Sequence, residues 1–364
     1  MNPPQLKSYI PVGGALMWVP VTGDEPPMRF VPGFDLQWYH RRLGVDFTSA
    51  WHTDPVRRYE ALLAMTRLVG GLFPQLPDFR LAGGGVEPRC ATISGVHGIM
   101  TLYKLYGGPV RYQAGGPPEA AVRGALTPEA LGELPPFDLA ENPVVSDLLA
   151  QIDTLAARYG CATGYLNYQG PLNVAFQLCG TDIFTVMLDD PELAGRVFGH
   201  IARTIRDLAR LIQARQRATG FDVDLIGSSN CVVNMISPAM YEEQLLAWDR
   251  YLALPFRWYA VHTCNWNVTP YLPALAQLPN VGYIDLGSAS DYDAVRAAFP
   301  LARRNVLFSP TVMHLPRAER AAMVDRLADA LLPCDISMGS IDASVPDDEV
   351  TWLAGYIAGH PANR

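Results

Sequence analysis

Trp258-Tyr259-Ala260-Val261-His262-Thr263-Cys264-Asn265-Trp266 is the stretch on which the reading of this chain turns. Trp258 to Val261 is aromatic and β-branched, which suits a short strand covered on both faces. The polar turn Asn265-Trp266-Asn267 follows, and Pro270 opens a helical pattern. Alternate residues of a strand point to one side. His262 and Cys264 are therefore expected to converge, imidazole beside thiol, at the strand's far end.

Working outward, the same strand–helix unit recurs. Strands are expected at 164–168, 223–227, 281–286, 305–309 and 335–339. Helices are expected at 143–159, 171–179, 191–219, 270–278, 291–298, 316–332 and 346–358, with another begun by Ser237-Pro238. The longest has Asp189 and Asp190 before it, Pro191 in its first turn and Gly220 beyond its end. Its stripe of Leu193, Val197, Ile201, Ile205, Leu208, Leu211 and Ile212 has helical spacing. Alternation of this kind builds a parallel sheet, and the number of units favours a closed (β/α)8 TIM barrel.

Residues 76–364 are expected to form that barrel, with short β-like pieces at 79–81, 91–94 and 110–112. Residues 1–75 read as an irregular, proline-rich N-terminal extension packed on it, helical from Pro55 after the Asp54 cap. Gly83-Gly84-Gly85 is no phosphate loop, because no Gly-Lys-Ser/Thr follows it. A barrel brings the C-terminal ends of its strands to one mouth. That mouth would gather Tyr168, Gln169, Ser229, Asn230 and Cys231 with His262, Cys264 and Asp285. Ser309, Ser340 and Asp342 would complete it.

Composition narrows the function. Of 364 residues, 49% are apolar and 18% charged, so a sizeable core is expected and extensive disorder is not. A net charge of −8, with no Lys/Arg run, argues against nucleic acid. No apolar run reaches the length of a membrane span, and no basic segment opens a signal peptide. Cysteines 90, 161, 179, 231, 264 and 334 are scattered, with no C-x-x-C pair. They read as free thiols in a reducing compartment, and the expected location is the cytoplasm.

In its order of motifs the chain resembles the uroporphyrinogen decarboxylase superfamily over roughly residues 150–358. The resemblance rests on Gly170-Pro171-Leu172 with Gly180, Asp189-Asp190-Pro191-Glu192, and Ile236-Ser237-Pro238 with Tyr241. It continues through His262-Thr263-Cys264, residues 281–285 and the closing stretch 339–346. It implies a (β/α)8 barrel and a tendency to homodimers. It is closer to the zinc-dependent, corrinoid-linked methyltransferase branch than to the decarboxylases, whose Arg-rich N-terminal motif is missing. That branch holds zinc with a His-x-Cys pair plus a Cys in a Gly-Cys-Gly turn after the last strand. His262 and Cys264 match the pair, but the third position falls on Ser340 in Met338-Gly339-Ser340-Ile341-Asp342.

The third ligand therefore has to come from elsewhere. Asp342 is preferred, with Cys231 as the other geometrically suitable residue. Cys334 lies at the start of the last strand, about six residues at roughly 3.3 Å each from the mouth. Zinc held by Cys and His with one position open would stabilise a substrate thiolate for attack on a methyl group. The expected function is thus a methyl or small-alkyl transferase acting on a thiol. Asp285 would orient His262 through its other ring nitrogen, with Asn230 and Tyr168 as further catalytic candidates. No Asp-x-His-x-x-Gly corrinoid motif occurs in the chain, so a corrinoid would arrive on a separate carrier protein. The alternative is a metal-free lyase or decarboxylase. There Asp285 or Asp342 would work as acid and base, and Arg41, Arg42, Arg57 and Arg58 would hold carboxylates.

Overall fold

The structure is a computed structural model and describes residues 5–9, 17–76, 90–122 and 124–364. The expected piece at 79–81 and the triglycine 83–85 lie outside the described residues. In chain order the strands are β1 (Leu6–Tyr9), β2 (Met17–Pro20), β3 (Met28–Phe34), β4 (Ala91–Thr92), β5 (Val110–Gln113) and β6 (Gly116–Ala120). They continue as β7 (Ala162–Thr163), β8 (Leu225–Ser229), β9 (Trp258–His262), β10 (Val281–Gly287), β11 (Arg303–Phe308) and β12 (Cys334–Ile341).

Six strands form one parallel sheet in the order β3-β12-β11-β10-β9-β8. β4 and β7 make a separate parallel pair, joined to β8 by the single bridge Gln169–Ser229. The antiparallel pairs β1–β2 and β5–β6 stand apart. Helices fall between the parallel strands, as the alternation predicts, and those at Pro143–Tyr159 and Pro171–Cys179 lie where expected.

The expected closed barrel is not met in hydrogen bonding. Among the described residues no ladder joins β3 to β4, so the sheet is open at that seam. The cause is local. Gly164 has φ 108°, and a Cβ there would stand 2.3 Å from Thr92 Oγ1, so only glycine fits. This turn ends β7 after two residues, and the strand expected at 164–168 runs on as irregular extended chain.

The boundary at residue 75 also needs correction. β3 belongs to the segment expected to lie over the sheet, yet it pairs with β12 from Met28 through Phe34. Arg29 of β3 and Arg303 of β11 both donate to the buried Asp335 of β12 at 2.6–2.9 Å. Burial alone would raise the Asp335 carboxyl, but the two guanidinium groups outweigh it and hold its pKa low. Removing Asp335 would take the shared carboxylate from two buried guanidinium groups, and breaking a buried pair in this way typically costs about 3–5 kcal/mol. The N-terminal segment is thus built into the sheet.

The long helix spans Pro191–Ala218 and buries Leu193, Val197, Ile201, Ile205, Leu208 and Ile212 along one stripe. It packs on the helices at 128–132, 171–179 and 246–253. Gln213 and Gln216 reach inward to the Leu225 and Gly164 carbonyls. Ile205 is 1% exposed, so Ile205→Ala is expected to cost about 2–5 kcal/mol in denaturant unfolding, through lost burial and a residual cavity.

Cys90 and Cys161 form a disulfide across a sequence separation of 71. Each immediately precedes its short strand, and the Ala91–Ala162 register sets them side by side. This corrects the reading of six free thiols. No single helix is long and apolar enough to cross a membrane.

Candidate metal centre

Three ligand atoms converge beyond the C-terminal ends of β8 and β9. Cys231, His262 and Cys264 each offer one, all within 4.8 Å of one another. The Cys264 Sγ lies 2.7 Å from the Cys231 Sγ and 3.1 Å from His262 Nε2. All three residues are half-buried, which leaves the cluster one open side.

Strand alternation alone does not bring His262 and Cys264 together. β9 ends at His262, and Cys264 takes a left-handed conformation with φ 59° in the turn beyond. Such a φ is uncommon outside glycine and accumulates at functional sites. The turn rests on β10, where Gly287 donates to the Trp266 carbonyl at 2.9 Å. A Cβ on Gly287 would stand 1.9 Å from the Asn265 carbonyl oxygen. Gly287→Ala is therefore expected to push Cys264 out of the cluster. Loss of bound metal with an unchanged circular dichroism spectrum would verify this; undiminished metal would refute it.

Cys231 comes from the turn after β8. The Asn230 N–H donates to the His262 carbonyl at 2.7 Å, tying that turn to β9. The Asn230 Nδ2 donates to the Asp249 carboxylate at 2.8 Å, as does the Tyr241 hydroxyl. Asp249 is fully buried, and burial outweighs those bonds to push its carboxyl up to about 6. Asn230 is thus a fixed post under Cys231.

Asp285 sits on β10 next to His262 and is itself buried. Its Oδ2 bonds the His262 Nδ1, and its Oδ1 accepts from the Thr263 N–H at 2.6 Å. This leaves Nε2 to face the sulfurs, the orientation carboxylates impose on metal-binding histidines. Burial alone would lower the His262 pKa, but Asp285 and the two cysteines outweigh it and hold the imidazole's pKa well above 6.5. The hydrogen bond from Cys264 draws the Cys231 thiol down to about 4, and the same bond with burial pushes the Cys264 thiol up.

Other expected site residues lie elsewhere. Asp342 is exposed, and its Oδ1 accepts from the Ser344 N–H and hydroxyl at 2.7 and 2.5 Å. That turn keeps it out of the cluster, and Cys231 stands in the place proposed for it. Cys334 is buried at the start of β12, beside Asp335. Tyr168 is buried against Tyr165, with ring centroids 5.2 Å apart, and burial pushes its phenol up. Arg42 pairs with Asp347, and the buried Arg58 donates to the Trp51 carbonyl and Gln151. Both are engaged within the protein, which removes two of the four arginines proposed as a carboxylate clamp.

The same fold is found in a methyltransferase. That protein, from Methanosarcina mazei, superposes with a TM-score of 0.64 at 15% identity, over 93% of this chain and 94% of its own. No family model matches the sequence, and no curated protein matches it. At this identity the likeness concerns the fold.

Sequence reasoning missed Asn173, which borders the cluster, and Asn167, which is linked to it through Gln169. Asn173 hydrogen-bonds Cys231, and its Oδ1 accepts from the Val232 N–H at 3.0 Å. The only sequence signal was their place around Gly170-Pro171, between a strand end and a helix start.

The donor set suits zinc. Two sulfurs and one imidazole, with the other imidazole nitrogen on a carboxylate and one side open, is a catalytic type of zinc environment. Tetrahedral bonds of ~2.3 Å to sulfur require the two sulfurs to stand ~3.8 Å apart. The pair must open by about 1 Å from its present 2.7 Å to admit the ion.

Proposed function

We propose that this protein is a zinc-dependent transferase that moves a methyl or small alkyl group to or from a thiol. The single observation that carries the reading is the Cys231–His262–Cys264 cluster with Asp285 behind its imidazole. The fold shared with a methyltransferase supports it. So does the resemblance of the motif order to the corrinoid-linked branch of the uroporphyrinogen decarboxylase superfamily. In this reading the chain is a barrel of that superfamily, with eight parallel strands and a seam between β3 and β4 that packs without a ladder. Zinc would supply a positive charge that keeps a bound thiol deprotonated at neutral pH.

The protein's own residues do the rest. Cys231, His262 and Cys264 would hold the ion and would leave one position for a substrate thiol. Asp285 fixes the imidazole tautomer, and Asn230 fixes the Cys231 turn. Three ligands carrying up to two negative charges leave the centre near neutral, so an added thiolate remains nucleophilic. The methyl group would come from a corrinoid on a carrier protein, docking over the mouth.

The experiment is methyl transfer from free methylcobalamin to 2-mercaptoethanol, followed by loss of the cobalt–carbon absorption. Zinc-loaded protein is expected to accelerate transfer, and chelator-stripped protein to fall to the background rate. Equal rates in both would remove the metal from the reaction and favour a metal-free lyase.

A further inference from the structure

The two sulfurs of the cluster stand at a separation that belongs neither to a covalent bond nor to a pair of ligands on one ion. Cys231 Sγ and Cys264 Sγ are 2.7 Å apart. A disulfide needs ~2.05 Å and a tetrahedral zinc site ~3.8 Å, so the pair lies about 0.7 Å from the first and about 1.1 Å from the second. Closing the gap is the smaller movement. The main chain on either side is already tied. Ser229 and His262 are register partners at the ends of β8 and β9, and the Asn230 N–H donates to the His262 carbonyl at 2.7 Å. Cys264 reaches Cys231 through its left-handed φ of 59°, in a turn seated closely on Gly287.

The chain's other cysteines offer no competing partner. Cys90 and Cys161 are bonded to each other, and Cys179 and Cys334 are buried. Cys231 and Cys264 are half-buried, so a small oxidant reaches them from the open side of the cluster. An accessible thiol beside a second thiol is the arrangement that reversible redox sites use. The second sulfur captures the sulfenic acid of the first before oxidation runs further.

We propose that Cys231 and Cys264 are a peroxide-sensitive pair that closes to a disulfide and thereby shuts the metal centre. Cys231, which accepts the hydrogen bond from the Cys264 thiol, attacks first. Its sulfur bonds one peroxide oxygen, the O–O bond breaks, and the departing hydroxide takes the Cys231 proton to leave as water. Cys264 then attacks the sulfenic sulfur. The S–S bond forms, the S–O bond breaks, and the second hydroxide leaves as water with the Cys264 proton. Two thiols and one peroxide thus give one disulfide and two waters, the sulfurs losing the two electrons that the peroxide gains. Neither sulfur is then a thiolate, the form that binds metal, and His262 is left as the single ligand of the cluster. The oxidation concerns the pair itself, while its effect on the metal rests on the metal-centre reading.

The test titrates chelator-stripped, dithiothreitol-reduced protein with hydrogen peroxide and maps the products by peptide mass spectrometry. Wild-type protein is expected to join the peptides carrying Cys231 and Cys264, with the loss of two hydrogen atoms, and then to take up less than a tenth of the zinc that the reduced protein holds. Dithiothreitol should restore both the thiols and the uptake. Cys334→Ser should cross-link as the wild type does. In Cys231→Ser the Cys264 sulfur, left without a resolving partner, should run on to sulfinic acid. Wild-type protein oxidised to sulfinic acid without the cross-link, or joined instead through Cys179 or Cys334, overturns the proposal. Full zinc uptake by the cross-linked protein overturns it as well, since the disulfide would then shut nothing. A cross-link formed in protein whose reduced form takes up no zinc supports the redox pair and overturns the metal-centre reading alone.

Discussion

Cys231→Ser protein purified without chelators is expected to hold less than about a tenth of the zinc found in the wild type, because an alcohol is a far poorer ligand than a thiolate at neutral pH. The expectation follows from the Cys231 Sγ lying beside Cys264, and from the downward shift of its pKa to about 4. Cys264→Ser should behave alike, since two protein ligands bind zinc weakly. Asp342→Asn and Cys334→Ser should leave the zinc in place, because Asp342 is engaged with Ser344 and Cys334 lies at the far end of β12. The set separates the cluster from Asp342, the third ligand preferred from the sequence. Zinc lost in Asp342→Asn but kept in Cys231→Ser would restore the earlier assignment.

Asp285→Ala is expected to weaken zinc binding by about 10–100-fold, the usual effect of removing the carboxylate behind a metal-bound histidine. The physical cause is orientation and charge together. Asp285 bonds the His262 Nδ1 and also the Thr263 N–H, so its loss frees both the ring and the turn that leads to Cys264. The same carboxylate contributes to the raised His262 pKa, so its removal makes the imidazole easier to deprotonate. Looser geometry should outweigh that gain. Competition with a chromophoric chelator measures the change; affinity equal to wild type would show that the ring is held by packing alone. Asp285→Asn should lie between the two, since an amide keeps one bond and loses the charge.

The site was legible where local pattern and topology agreed. β9 lies at Trp258–His262, where its aromatic and β-branched composition placed it, and His262 and Cys264 meet as expected. They meet through a left-handed turn at Cys264, which alternation of side chains does not reveal. The third member of the cluster was harder. The family pattern pointed beyond the last strand, whereas Cys231 follows β8, far off in sequence and adjacent only through the β8–β9 register.

The fold was legible in its second half for the same reason. Strands of five to eight residues alternate there with helices, joined by short loops. β3 was missed because Val31-Pro32-Gly33 reads as irregular chain, although β3 is an edge strand of its sheet, where a proline is tolerated. Pairing with β12 and the buried Arg29–Asp335 bonds override that local signal. β4 falls within the piece expected at 91–94, whereas β7 has only two residues and lies just before the strand expected at 164–168. The Cys90–Cys161 disulfide depends on their register, and a separation of 71 residues gives no hint of it.

The central claim is that Cys231, His262 and Cys264 form one metal centre. Zinc-edge X-ray absorption on wild-type protein, purified without chelators, tests it most directly. The account predicts about one zinc per chain, with two sulfur ligands at ~2.3 Å and one imidazole nitrogen at ~2.0 Å. Zinc with fewer than two sulfur ligands, or protein that takes up no zinc, would contradict it.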